Sequence, residues 1–222
     1  MKKRNLFIGL GVLAIALIAG ISWYVLSGDE PSAPSLPERA SGATGPGSAD
    51  GEWRISEGSF VGYRVSERFI GEIIDKDAVG RTSDVTGGLN VSGLEVSNLE
   101  IEANTTTIKS DRVPRDSYLA SNALETSAFP TAKFLVDEPF NLDAKPVRGS
   151  KITLTLQGML TLHGQTRSLA IPIEARWNGA TIDVVGAAPI TLADYGITTP
   201  STPIVSVAGT GSLEIQLILR RR

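Results

Sequence analysis

The chain of 222 residues has no cysteine. That excludes disulfides, thiolate metal sites, a cysteine nucleophile and a lipid-modified cysteine anchor. It has one histidine, His163. A metal site needs several converging ligands, so none is expected, and a solvated or turn-bonded imidazole is the plain reading of His163. No Gly-x-Ser-x-Gly elbow occurs, and no phosphate-cradling glycine loop followed by lysine; nucleophile–base triads and nucleotide hydrolysis lose their usual signatures. A basic cluster is missing too. Residues 51–219 carry 14 basic and 20 acidic side chains, a net charge of −6, which is the wrong sign for a phosphate-backbone binder. The expectation is therefore a protein that is not an enzyme, with no cofactor and no nucleic-acid partner. Carboxylates suited to acid–base work are the one catalytic resource that composition leaves in place.

What the chain does have begins at its N-terminus. Lys2, Lys3 and Arg4 precede an apolar run from Leu6 to Leu26, with Trp23 and Tyr24 at its far end. As a helix at about 1.5 Å per residue this run reaches about 31 Å, the thickness of a bilayer core. Basic residues before it and aromatics after it fit a single-pass anchor with everything beyond it extracytoplasmic. The alternative is a signal peptide, cleaved to leave a secreted or periplasmic protein. Residues 27–51 are rich in Pro, Gly, Ser and Ala and nearly devoid of large apolar residues, the composition of a disordered tether. The expected organisation is thus 1–26 basic end and membrane segment, 27–51 linker, 52–219 folded domain and 220–222 a basic tail.

The folded region is organised around residues 150–177. Ile152, Leu154, Leu156, Leu160 and Leu162 alternate with polar residues; after a turn at His163–Arg167, Leu169, Ile171, Ile173, Ala175 and Trp177 alternate again. A period of two marks half-buried strands, and two such runs around a glycine-containing turn make a hairpin. Gly158, in the middle of an unusually long run, predicts a bend or bulge. Trp53–Phe69 predicts a first strand pair broken at Glu57-Gly58, and Asp84–Val91 and Leu94–Ile108 predict two further strands, with Thr105-Thr106-Thr107 favouring strand. Ser110–Leu124 predicts a short helix with Pro114 in its first turn and Asp111 as cap. Thr131–Val136 is a strand, 137–149 a loop, Thr181–Val185 a strand, and 186–203, with three prolines, an irregular lid-like segment; a second lid-like stretch lies around 70–80. Ile204–Val207 and Leu213–Leu219 close the domain. The fold class is mainly β, an antiparallel barrel or sandwich with one short helix, preceded by the transmembrane segment.

These landmarks together resemble the YceI-like family of polyisoprenoid-binding, lipocalin-like barrels. The residues that carry the resemblance are Trp53-x-Ile55 with Ser59-x-Val61-x-Tyr63-x-Val65, Arg115-Asp116-x-x-Leu119, Phe129-Pro130 with Phe134, Gly158-x-Leu160-Thr161-Leu162-His163-Gly164-x-Thr166, and Asp194-Tyr195-Gly196-Ile197. The resemblance implies a lipocalin-like antiparallel barrel whose apolar interior takes an isoprenoid chain, of polyprenyl or quinone type. Many relatives carry histidines flanking the opening serine-containing strand; here Gly58 precedes Ser59, and Glu67-Arg68 stand beyond it, so no role resting on those histidines is expected.

On this reading Leu154, Leu156, Leu160, Leu162, Leu169, Ile171, Ile173 and Trp177 are the candidate lipid-lining residues. Patterning alone describes a packed core equally well, because a small barrel alternates in the same way whether filled or hollow. Arg115 and Arg112 are candidates for a polar head group, since a guanidinium fork suits phosphate oxygens; Arg115-Asp116 as a pair tying the helix to the barrel is the structural alternative. The function expected is an extracytoplasmic, membrane-tethered carrier of a long isoprenoid lipid, with a ligand-free module of the cell envelope as the other reading. The partners expected are an isoprenoid lipid and, through the N-terminal helix, the membrane.

Overall fold

A computed structural model describes residues 31–38, 47–69, 75–201 and 205–222. The apolar run Leu6–Leu26 lies outside these residues, and no helix among the described residues is long and apolar enough to cross a membrane. The strands are β1 (Gly51–Ile55), β2 (Phe60–Phe69), β3 (Lys76–Thr82), β4 (Val85–Ser92), β5 (Glu95–Asn104), β6 (Lys109–Ser110), β7 (Thr131–Val136), β8 (Phe140–Asn141), β9 (Lys151–Leu162), β10 (Gln165–Trp177), β11 (Thr181–Thr191) and β12 (Val205–Arg221). The helix α1 is Val113–Tyr118.

Register reduces these twelve segments to eight walls. β1 and β2 both lie along the same edge of β12, at its two ends. β4 and β3 continue one another opposite them, as β5 and β6 do on the next line. β7 and β8 follow each other along β5. Four collinear pairs subtracted from twelve leave eight antiparallel strands, and the pairing of β12 with β1 and β2 closes them into a barrel. The residues expected as a first strand pair, Trp53–Phe69, are therefore one long strand with a kink, not a hairpin. Ser59 holds the kink: its hydroxyl donates to Ser56 O (2.7 Å) and accepts from Ile218 N (2.9 Å).

Alternate residues of every wall turn inward and form one apolar core, including Val61, Ile101, Phe134, Leu160, Ile171, Val184 and Ile215. At one end Trp53 and Trp177 stopper it. Each indole N–H, buried, donates to a backbone carbonyl, Trp53 to Ala49 O (2.8 Å) and Trp177 to Gly179 O (3.1 Å), and an arginine stacks on each ring, Arg221 and Arg148. Arg220 and Arg221, expected in a tail beyond residue 219, belong to β12. Within the expected linker, residues 32–38 have no regular secondary structure and are tied to the barrel, where Arg81 donates to Ser32 O (2.6 Å) and Arg176 to Pro37 O (3.3 Å).

Several local expectations are corrected. The β9–β10 turn is two residues, His163-Gly164, both with positive φ (49° and 70°), the geometry that matches strand twist in a tight hairpin. Thr105–Thr107 form a 3-10 turn, because the Asn104 side chain accepts from Thr106 N (3.0 Å) and its hydroxyl (2.6 Å), a local bond that outcompetes the ladder. Asp111 does not cap α1; the N-cap is Arg112, with no side-chain cap, and Asp111 pairs with Arg115 instead. The expected lid at 186–203 is strand as far as Thr191, followed by a 3-10 turn at Leu192–Tyr195. Pro189 fits in β11 because the β10–β11 ladder stops at Ile173↔Gly186, so no strand is there to miss its N–H. Part of the other expected lid, 76–80, is β3, and 70–74 lie outside the described residues.

Gly158 makes no bulge, since the β9–β10 register runs unbroken through it. A Cβ there would stand 2.5 Å from Leu135 O and 2.6 Å from the Phe134 ring. Gly158→Val is expected to destabilise the fold by about 1–3 kcal/mol through overpacking, measured by denaturant unfolding; a cost near zero would refute this close approach.

Candidate functional site: a wedge in the barrel wall

β7 pairs with β9 only at Lys133↔Thr161, Phe134↔Leu160 and Leu135↔Met159. β9 then runs on to Lys151, paired with β10 alone, while the other wall swings away through 137–139 to place β8 against β5. Leu142 N donates to Leu94 O (2.9 Å) and fixes the far side of the gap. The walls thus diverge into a half-open cavity of about 940 Å³, at the upper end of the roughly 300–1,000 Å³ usual for ligand pockets. Its apolar lining is Val136, Phe140, Leu142, Ile152, Leu154 and Leu156. Asp137, Glu138 and Asp143 stand exposed around it with Lys145, whereas Lys151 is paired with Glu174 (2.7 Å), which leaves the rim acidic. Val147 and Met159 add exposed apolar surface at the cavity.

Leu154 and Leu156 therefore line a cavity. Leu160, Leu162, Ile171, Ile173 and Trp177 are buried in the core and do not line it, and Leu169 packs half-buried against that core. Val136, Phe140, Leu142 and Ile152 were not among the expected lining residues. The signal for two of them was present: Phe140 and Leu142 are apolar residues inside a segment otherwise rich in proline and charge.

The candidate head-group arginines lie elsewhere, on and beside α1. Arg115 holds Glu67 with both prongs of its guanidinium (Nε to Oε1 3.0 Å, Nη2 to Oε2 2.8 Å) and also donates to Asp111 and, at 3.4 Å, to the Ser110 hydroxyl. Glu67 is 7% exposed. Burial by itself pushes the guanidinium down, but the hydrogen bonds and charges of Glu67 and Asp111 outweigh it, raise its pKa and keep it protonated. Arg112 stacks 5.6 Å from the Phe69 ring and pairs with Asp111 at 3.4 Å. Asp116 accepts from Ser110 N (2.9 Å) and its hydroxyl (2.7 Å). Two arginines thus face three carboxylates, Glu67, Asp111 and Asp116, and Arg115 works as a tie between helix and barrel. Inside the wall beside them, burial pushes the Tyr63 phenol up, so it stays an O–H, and that hydroxyl has no hydrogen-bond partner among the described residues.

His163 sits in the β9–β10 turn, but its ring, expected to be solvated or bonded within the turn, is largely buried and bonds two residues outside it. Nδ1 donates to Tyr195 O (2.9 Å), Nε2 lies 2.9 Å from Glu125 Oε2, and Phe129 packs edge-on against the ring, centroids 4.6 Å apart. Phe129, His163-Gly164 and Tyr195 come from three separate stretches of the chain and meet in this one knot. Among the described residues no group of three or more His, Cys, Asp or Glu side chains is placed to hold a metal ion.

Among the described residues the fold is an eight-stranded antiparallel barrel with one short α-helix and an apolar side cavity. A family model described as the YceI-like domain matches residues 53–219, and the chain belongs to that family. In structure it is similar to a polyisoprenoid-binding domain from Saccharophagus degradans implicated in plant cell wall breakdown, with a TM-score of 0.59, 14% identity and coverage of 77% of this chain and 98% of that one. It is also similar to the YceI protein of Campylobacter jejuni, with a TM-score of 0.56, 15% identity and coverage of 69% and 90%. No curated protein matches the sequence.

Proposed function

We propose that this protein is an extracytoplasmic, membrane-tethered carrier that shields the chain of an isoprenoid lipid from water. The observation that carries the reading is a large apolar cavity in a barrel of a family whose structural relatives include a polyisoprenoid-binding domain. Each buried methylene contributes about 0.8 kcal/mol, so an isoprenoid binds well against Leu154, Leu156, Val136 and Phe140 with few polar contacts. The inward side chains beyond them are buried against one another in one apolar cluster, which supports a lipid lying in the wedge rather than along the barrel axis. The acidic rim favours an uncharged head of quinone type over a polyprenyl pyrophosphate, which like charges repel. The apolar run Leu6–Leu26 with its basic flank supports the tether and the extracytoplasmic placement.

The packed core is also what a ligand-free envelope module predicts, and one experiment separates the two. The full-length chain is purified from its own host in detergent-free polymer nanodiscs and extracted with organic solvent. A carrier yields an isoprenoid enriched several-fold over the host membrane and approaching one per chain. Extracts with only bulk membrane composition favour the module.

A further inference from the structure

The wedge exposes backbone as well as side chains. Thr155 of β9 stands opposite Pro172 of β10. Proline has no N–H to exchange, so a hydrogen-bonded pair there would leave the Thr155 carbonyl facing nothing. Pro172 O in fact points the other way, towards β11, 2.8 Å from where a Cβ on Gly186 would be. The pair is thus of the non-hydrogen-bonded kind, and Thr155 turns its own N–H and C=O away from β10, into the wedge. Strand periodicity makes Lys151, Thr153 and Gln157 do the same. Met159, next in this series, is the residue that pairs with Leu135 of β7, which is where the β7–β9 pairing ends. From Lys151 to Gln157 the β9 edge therefore has no strand beside it among the described residues. All four side chains are exposed, and no proline, bulge or inward charge blunts the edge. Across the gap, β8 pairs with β5 alone.

We propose that this edge is a strand-addition site for an extended peptide of a partner protein. The peptide's main chain pairs with Lys151, Thr153, Thr155 and Gln157. Its alternate side chains, apolar, turn onto Leu154, Leu156 and Val136, and basic residues at its ends meet Asp137, Glu138 and Asp143. Charge and backbone both select this occupant: the rim is acidic, and a lipid chain satisfies none of the open N–H and C=O groups, whereas an added strand satisfies them in a row. The inference stands on the edge and the rim and not on the lipid reading; because both ligands would use Leu154, Leu156 and Val136, peptide and lipid compete for the wedge.

The test is hydrogen–deuterium exchange on the full-length chain in nanodiscs. The probe is a capped synthetic peptide that alternates valine and threonine between paired lysines. Saturating peptide is expected to slow amide exchange across 153–157 at least tenfold and to leave the β11–β12 ladder unchanged. The same peptide N-methylated on its pairing face is expected to give no protection. Thr155→Pro removes an N–H that the native β9–β10 ladder does not use, and is expected to weaken peptide binding at least tenfold while the β11–β12 protection stays at its wild-type level. Unchanged exchange at 153–157 with millimolar peptide overturns the proposal, as does equal protection by the N-methylated peptide. Should Thr155→Pro fail to fold, the N-methylated control decides alone.

Discussion

Arg115→Ala is expected to lower stability by about 3–5 kcal/mol, because it strands Glu67 as an uncompensated buried charge. Few single changes in this barrel should cost more. The helix loses its tie to β2, since the bidentate fork on Glu67 is the ion pair that joins them. Arg115→Lys keeps the charge but not the planar fork, and an intermediate loss is expected. Denaturant unfolding of the full-length protein measures both. Bound lipid per folded chain is expected to stay unchanged in either variant, because Arg115 does not line the cavity. A variant of wild-type stability that had lost its lipid would return Arg115 to the role of head-group ligand.

Leu154→Glu is expected to do the opposite. Leu154 is half-buried, faces the wedge and lies at the margin of the core. A carboxylate there sets an unpaired charge against the lipid chain, and at least a tenfold fall in bound isoprenoid is expected. The stability cost should be only about 1–2 kcal/mol, since the side chain reaches solvent through the open side of the cavity. Quantitative extraction, normalised to folded protein, reads the first effect and denaturant unfolding the second. Together the two variants separate the group that builds the barrel from the group that touches the ligand.

The β9–β10 hairpin was legible in the sequence because its signal is local: an uninterrupted apolar alternation on either side of a glycine turn. The helix after Val113 was legible through Pro114, though not its cap, because Asp111 is drawn to a cation rather than to the helix N-terminus. The wedge was not legible. It exists because β7 stops pairing at Leu135 while β9 continues to Lys151, and where one strand outruns its neighbour depends on partners far apart in sequence. The same cause hid β8, whose two residues pair with Glu95 and Val96 of the neighbouring strand β5, more than forty residues earlier in the chain. Pro189 was misleading because a proline ordinarily argues against strand; only the early end of the β10–β11 ladder makes it harmless. All eight apolar candidates pack in or against the core, and alternation alone could not pick out the two that also line a cavity, since all eight face inward with the same period.

The central claim is that lipid occupies the wedge between β8 and β9, and site-resolved photo-cross-linking tests it most directly. The full-length protein in nanodiscs is exposed to an isoprenoid bearing a photoreactive group on its chain, then digested and sequenced by mass spectrometry. The account predicts adducts on Val136, Phe140, Leu154 and Leu156, reduced at least tenfold in Leu154→Glu. Adducts concentrated instead on Leu160, Ile171 and Trp177 would place the lipid along the barrel axis and contradict it.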